Sequence, residues 1–233
     1  MKVSSFRQQL LQYLQQLNRP QQITLANTKD TVEPKESCAS GTTPLIMSCY
    51  DGHTDMVMMV EWLLRNDVNV AQCRDDGVCG LMMASQEGHT DIVKLLLERK
   101  SDVNLCDKDG LSPLLQASDK GHTDIVKLLL ERNPDVNLCN KTGSSPLLPA
   151  SQNGHIDIVK LLLEKNVDVN LCNKDGLSPL LQASDKGHTD IVKLLIERNP
   201  DVNLCDKNGS SPHFGVRYGT ILAFVRKFVN SLD

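Results

Sequence analysis

Aromatic side chains are scarce in this chain, making up 3% of its 233 residues. The core it buries must therefore be aliphatic. An excess of basic charge is missing as well. The formal net charge is −4, whereas nucleic acid or an anionic membrane as the main ligand demands a basic face. No run approaches the roughly 20 apolar residues that span a bilayer, so direct membrane insertion is not expected. The opening MKVSSFRQQLLQYLQQ holds too many glutamines for the apolar centre of a signal peptide. A cytoplasmic chain is expected, with the nucleus as the alternative.

Motifs of chemistry are lacking too. There is no phosphate-cradling glycine loop and no H-E-x-x-H. Gly-His-Thr-Asp recurs at 52–55, 88–91, 121–124 and 187–190, bringing histidine, hydroxyl and carboxylate together. Each copy belongs to a turn, and a triad is recognised by geometry rather than by adjacent letters. Asp107-Lys108-Asp109-Gly110 has the look of a calcium loop. In that frame Leu105 takes the first ligand position and Gln116 the last, so two essential oxygens are wrong. No catalytic residue, metal or cofactor is expected, and the chain is read as non-enzymatic.

Cysteines are present, but in an unpromising pattern. Cys73, Cys106, Cys139, Cys172 and Cys205 recur every 33 residues. Stacked helices lie about 8–10 Å apart, farther than the ~7 Å between Cα atoms that a disulfide tolerates. Zinc needs several sulfurs at about 2.3 Å from one ion. The expectation is a set of small half-buried thiols in a reducing compartment.

What dominates the sequence is a 33-residue period. Residues 107–139 and 173–205 match at 31 of 33 positions, differing only at Asp107/Asn173 and Leu130/Ile196. Such a period means stacked units, each burying its apolar face against its neighbours. Within 107–139, Asp107 to Gly110 is turn chemistry. Ser112-Pro113 opens a short inner helix, Ser as cap and Pro at the first helical position. Gly121 closes it as a left-handed cap. After His122 and Thr123, Ile125, Val126, Leu128, Leu129 and Leu130 form the apolar stripe of a second helix, which Asn133-Pro134 stops. Pro149 removes a backbone donor early in the fourth inner helix, so a local distortion is expected there.

GTTPLIMSCYDGH from Gly41 and GLSPLLQASDKGH from Gly110 and Gly176, followed by I-V-x-x-L-L and D-V-N, resemble the ankyrin repeat. The resemblance is strong over 38–205 and weak over 206–233. Serine mostly replaces the family's threonine, and Leu115, Leu148 and Leu181 replace the histidine of its T-P-L-H box. It implies an all-α solenoid of stacked helix-turn-helix units with hairpin-like loops. The expected organisation is an amphipathic helix and polar linker over 1–37, and repeats at 38–73, 74–106, 107–139, 140–172 and 173–205. Residues 206–233 form a degenerate sixth repeat or cap. The first copy carries three extra residues, one near Trp62 and two at Val70-Ala71-Gln72.

The resemblance also implies that finger tips and inner helices form a concave recognition face, and these are the places where the copies differ. The residue before the turn glycine is Asp76, Asp109, Thr142 or Asp175; the one after it is Val78, Leu111, Ser144 or Leu177. On the inner helix one column reads Met47, Met83, Gln116, Pro149 and Gln182. A second reads Tyr50, Gln86, Asp119, Gln152 and Asp185, and the next holds Asp51, Glu87, Lys120, Asn153 and Lys186. The face is apolar at Met47, Tyr50 and Met83 and charged at Asp119, Lys120, Asp185 and Lys186. A protein or peptide with an apolar anchor followed by polar contacts is the expected partner of a monomeric, non-enzymatic scaffold. Two alternatives are a targeting or regulatory fragment of a larger protein and a thiol- or metal-responsive protein. Asn104, Asn137, Asn170 and Asn203, in D-V-N, look like the position hydroxylated in ankyrin repeats by an asparaginyl hydroxylase; a turn asparagine bonding its own backbone accounts for them equally.

Overall fold

The computed structural model describes residues 42–52, 54–65, 68–202, 204 and 206–209. The expected helix over 1–37, the expected cap beyond residue 209, Asn203 and Cys205 lie outside the described residues. Two compact units, Met1–Lys108 and Asp109–Asp233, make up the chain. The first holds α1 (Pro44–Asp51), α2 (Thr54–Arg65), α3 (Gly80–Glu87) and α4 (Thr90–Glu98). The second holds α5 (Pro113–Lys120), α6 (Thr123–Leu130), α7 (Leu147–Gln152), α8 (Ile156–Leu163), α9 (Pro179–Asp185) and α10 (Thr189–Ile196). Odd-numbered helices are the inner members of each repeat and even-numbered ones the outer.

Local chemistry starts and stops the inner helices. Ser112 Oγ accepts from the Leu115 N–H at 3.2 Å and Ser178 Oγ from Leu181 at 3.1 Å, each satisfying a donor that the first turn leaves open. Thr43 does the same for Ile46 at 3.4 Å. Proline follows in all three. Gly121 then ends α5 at φ 81°, and a Cβ there would meet the His155 ring at 2.6 Å. Glycine is thus required twice over, for its left-handed backbone and for the ring that lies on it.

Aliphatic burial builds the stacks. In the second unit α5 packs on α7 and α7 on α9, while α6 packs on α8 and α8 on α10. Leu114, Leu115 and Ala117 of α5 and Ile125, Val126, Leu129 and Leu130 of α6 are buried, as are their counterparts in the next two repeats. Each large side chain contributes roughly 1.5–3 kcal/mol by leaving water. Leu115, Leu148 and Leu181, which stand where the family carries histidine, are all buried. In the first unit α1 packs on α3 and α2 on α4. There α2 is 12 residues long against 9 for α4, and the extra loop residues turn at Val70-Ala71, where Asn69 Oδ1 accepts from Ala71 N–H at 2.9 Å.

Three polar links fix the register between consecutive repeats. At the finger, the Lys141 N–H donates to the Asp109 carbonyl at 2.8 Å and Lys174 to Thr142 at 2.8 Å. At the inner-helix end, His155 Nε2–H donates to the Asp119 carbonyl at 3.2 Å and His188 to Gln152 at 3.0 Å; a carbonyl partner fixes the proton on that nitrogen. At the outer-helix exit, the Asn137 amide donates to the Asn166 carbonyl at 3.1 Å and accepts from Asp168 N–H at 2.8 Å. Asn170 repeats the second of these bonds with Asp201 at 2.8 Å. In the first unit the same finger and histidine links join Lys108 to Asp76 at 2.8 Å and His89 to Tyr50 at 2.8 Å.

Pro149 does distort its helix, and the compensation is visible. Gln116 and Gln182, its counterparts, donate their N–H to the carbonyls of Ser112 and Ser178 at 3.0 Å. Proline has no N–H to give. The Leu148 N–H takes the vacant Ser145 carbonyl instead, at 3.1 Å. That donor is the one the serine hydroxyl captures in the neighbouring repeats, so Ser145 Oγ is left buried without a partner. One hydrogen bond is lost and α7 shortens to six residues.

Three outcomes follow for denaturation in urea. Pro149→Gln raises stability by about 1 kcal/mol. Ser145→Ala is neutral or slightly stabilising in the natural sequence but costs about 1 kcal/mol in the Pro149→Gln background, where the hydroxyl regains its donor. Asn137→Ala, which removes both arms of an inter-repeat link, lowers stability by about 1–2 kcal/mol; an unchanged midpoint would show that the link carries no net stability.

Candidate functional site

Each finger is a tight turn closed by its own backbone. In the fourth repeat Asn140 N–H donates to the Ser144 carbonyl at 3.1 Å and Gly143 N–H to the Asn140 carbonyl at 2.9 Å; the fifth repeats this with Asn173, Leu177 and Gly176. Gly110, at φ 77°, would place a Cβ 2.9 Å from the Asn140 backbone, so the fingers of the second unit stack too closely for a side chain there. The residue before each turn glycine uses its carbonyl to hold the next finger. Its side chain is released outward: Asp109, Thr142 and Asp175 are exposed, while Asp76 is half-buried and paired with Arg74. Asp109 lies 3.6 Å from Lys141 Nζ and Asp175 3.0 Å from Lys207 Nζ, both pairs in water and each worth well under ~1 kcal/mol. Val78, Leu111, Ser144 and Leu177, after the glycines, are half-buried.

The inner-helix columns divide. Tyr50 is 48% exposed, and Glu87, Lys120, Gln152, Asn153, Asp185 and Lys186 are exposed at the ends of their helices; Met47, Gln86, Gln116 and Asp119 are half-buried. Met83 and Gln182 do not fit the expected surface. They are 7% and 9% exposed, because burial in α3 and α9 is unbroken through the first six residues. Buried to that extent they offer little contact area, so both leave the candidate set. Asn153 also has a second role: its amide donates to the Asp119 carbonyl at 3.0 Å and to its carboxylate at 3.1 Å, tying two candidate residues of adjacent repeats together.

The asparagines have structural work to do. Asn137 and Asn170 bond the next repeat as described above, and an asparaginyl hydroxylase would have to displace those bonds to reach them. Asn104 is exposed, its own N–H capped by Asp102 Oδ1 at 2.9 Å. The thiol ladder is equally occupied. Cys106, Cys139 and Cys172 each donate an S–H to the asparagine carbonyl two residues back, at 3.3–3.4 Å. Burial first, and nearby aspartates second, push all three thiols up, which keeps them protonated and poor ligands or nucleophiles. Among the described residues no group of three or more His, Cys, Asp or Glu side chains is placed to hold a metal ion. No described helix is long and apolar enough to cross a membrane.

No curated protein matches this chain. The family model described as ankyrin repeats (3 copies) matches it in overlapping registers, over residues 7–107, 57–138, 81–173, 114–206 and 150–221. Together these cover most of the sequence, in step with the helix pairs, Gly-His turns and stacked fingers seen in both units. Ankyrin repeats are in general protein–protein interaction modules and the family is typically non-enzymatic. The chain belongs to the ankyrin repeat family.

Proposed function

We propose that the chain is a non-enzymatic scaffold that binds a protein or peptide partner through its finger tips and inner-helix ends. One contrast carries this reading. The second unit has two exposed surfaces, and the fourth repeat departs from its near-identical neighbours mainly on one of them. On the outer helices the exposed Asp124/Lys127, Asp157/Lys160 and Asp190/Lys193 pairs are the same in three successive repeats, at 3.5, 3.5 and 2.9 Å. On the inner side the equally exposed column Lys120, Asn153 and Lys186 changes, and so does Asp109, Thr142 and Asp175 at the finger tips. Solvent exposure alone would relax both surfaces alike. Divergence concentrated on one of them is what a surface that reads a partner requires.

The chemistry on offer in the second unit is polar: acid and lysine side by side at Asp119-Lys120 and Asp185-Lys186, with amides at Gln152-Asn153 between them. A partner segment rich in charged and amide groups complements it, with steering stronger than net affinity. In the first unit the exposed ring of Tyr50 and the half-buried thioether of Met47 supply an adaptable apolar contact.

Two triple variants test this in a pull-down followed by cross-linking of the captured partner. Lys120→Glu/Asn153→Asp/Lys186→Glu reverses the inner surface; Lys127→Glu/Lys160→Glu/Lys193→Glu reverses the outer one. With both folded by circular dichroism, the inner variant loses the partner by at least ~10-fold, about 1.4 kcal/mol, while the outer variant retains it. The opposite pattern would move the binding surface to the outer helices.

A further inference from the structure

The finger of the second repeat differs from the others in one respect. Cys73 and Cys79 pair across it as an antiparallel bridge. The Arg74 N–H donates to the Val78 carbonyl at 2.9 Å just inside that bridge, which makes the two cysteines a non-hydrogen-bonded pair. Such pairs hold their Cα atoms about 4.5 Å apart with side chains on one face, within the ~4.4–6.8 Å that a disulfide accepts. The corresponding partners of Cys106, Cys139 and Cys172 are Ser112, Ser145 and Ser178. Of these four fingers this one alone has cysteine at both positions. The cysteine also gives something up, because Cys79 stands at the N-cap of α3 and makes no capping bond.

We propose that Cys73 and Cys79 form a reversible disulfide across this finger, made by thiol–disulfide exchange with a small-molecule disulfide of the glutathione type. Both are thiols in this structure. Cys73 is half-buried and its S–H reaches the Ala71 carbonyl at 3.3 Å, so it is the sulfur that solution reaches. Cys79 is 2% exposed; its neighbouring thiols are Cys73 and the fully buried Cys49. Burial pushes its thiol up to about 11, opposed by the backbone N–H groups of Met82 and Leu81 at the start of α3, which favour the thiolate.

The exchange balances in two steps. The Cys73 thiolate attacks one sulfur of glutathione disulfide, forming a Cys73–glutathione disulfide and expelling a glutathione thiolate. The Cys79 thiolate then attacks Cys73 Sγ, forming the Cys73–Cys79 bond and expelling the second glutathione. Two cysteine protons end on two glutathione thiols, the protein loses two electrons, and glutathione disulfide gains them. Cys49 is the nearest competitor: its sulfur lies 3.0 Å from where a Cβ on Gly80 would stand. It is fully buried, which drives its thiol far upward and keeps it protonated. Asp76 and Val78 sit inside the loop the new bond closes, so oxidation locks the one finger of the first unit that presents candidate contacts.

The test uses the full chain equilibrated in glutathione redox buffers, quenched in acid, alkylated and digested with trypsin. Cleavage after Arg74 separates the two cysteines into peptides 66–74 and 75–94. These appear joined and two hydrogens lighter than their sum, at least ~10-fold above any joined pair involving Cys106, Cys139 or Cys172, and dithiothreitol separates them. In Cys79→Ser, whose side chain matches the serines of the next three repeats, the joined species vanishes and Cys73 carries glutathione alone. Natural protein in which Cys73 is only glutathionylated, is joined to Cys49, or is alkylated to the same extent as Cys106 would overturn the proposal.

Discussion

No repeat here has a core of its own. A pair of helices of some eight residues each is below the length at which helices hold in water, and its aliphatic face is covered only when the next pair lies against it. That constraint makes the join between neighbours the seat of both stability and register. The polar links are therefore placed at joins: finger carbonyl to the next lysine N–H, histidine ring to the preceding inner helix, asparagine amide to the next outer-helix exit. Each link satisfies a backbone group that would otherwise end a turn or a helix unpaired, and each fixes how far one copy slides along the next.

Because the links engage main chain, side chains at the same positions are free to differ. Asp109, Thr142 and Asp175 perform one service through their carbonyls whatever their side chains are. The finger tip is thus a position where variation costs little, which is how a repeated fold acquires a particular surface. The N-cap column shows the reverse case. Thr43, Ser112 and Ser178 cap their helices, Cys79 makes no capping bond, and Ser145 makes none because Pro149 has diverted its donor. Identical demands at one column are met or left unmet by residues three to six positions away.

Much of this was legible in the letters. Ser-Pro at an inner-helix start, Gly-His at its end and the aliphatic stripe after it each name a local conformation, and all three are found where the sequence places them. The burial of Met83 and Gln182 was not legible, because an eight-residue helix makes barely two turns and its period does not say how far round the covered face extends. The fate of the Pro149 gap was hidden too: a missing donor is visible in sequence, but which neighbouring N–H moves over is a matter of a few tenths of an ångström. Exposed positions such as Tyr50 and Lys120 were readable only through comparison among the copies, since composition alone does not separate a solvated lysine from one that meets a partner.

The cysteines show why direction matters in such a comparison. Aligning the repeats sets Cys73 beside Cys106, Cys139 and Cys172, a ladder whose 33-residue rungs predict a spacing too wide for a disulfide. Across the finger the relevant spacing is six residues, and it joins columns that the alignment keeps separate. Six residues after the cysteine stands serine in three repeats and a second cysteine in one, so a pairing invisible along the stack becomes evident when the chain is followed around its own turn. In a periodic protein, constancy runs along the period, while new pairings arise within a single unit between residues that have come to lie opposite.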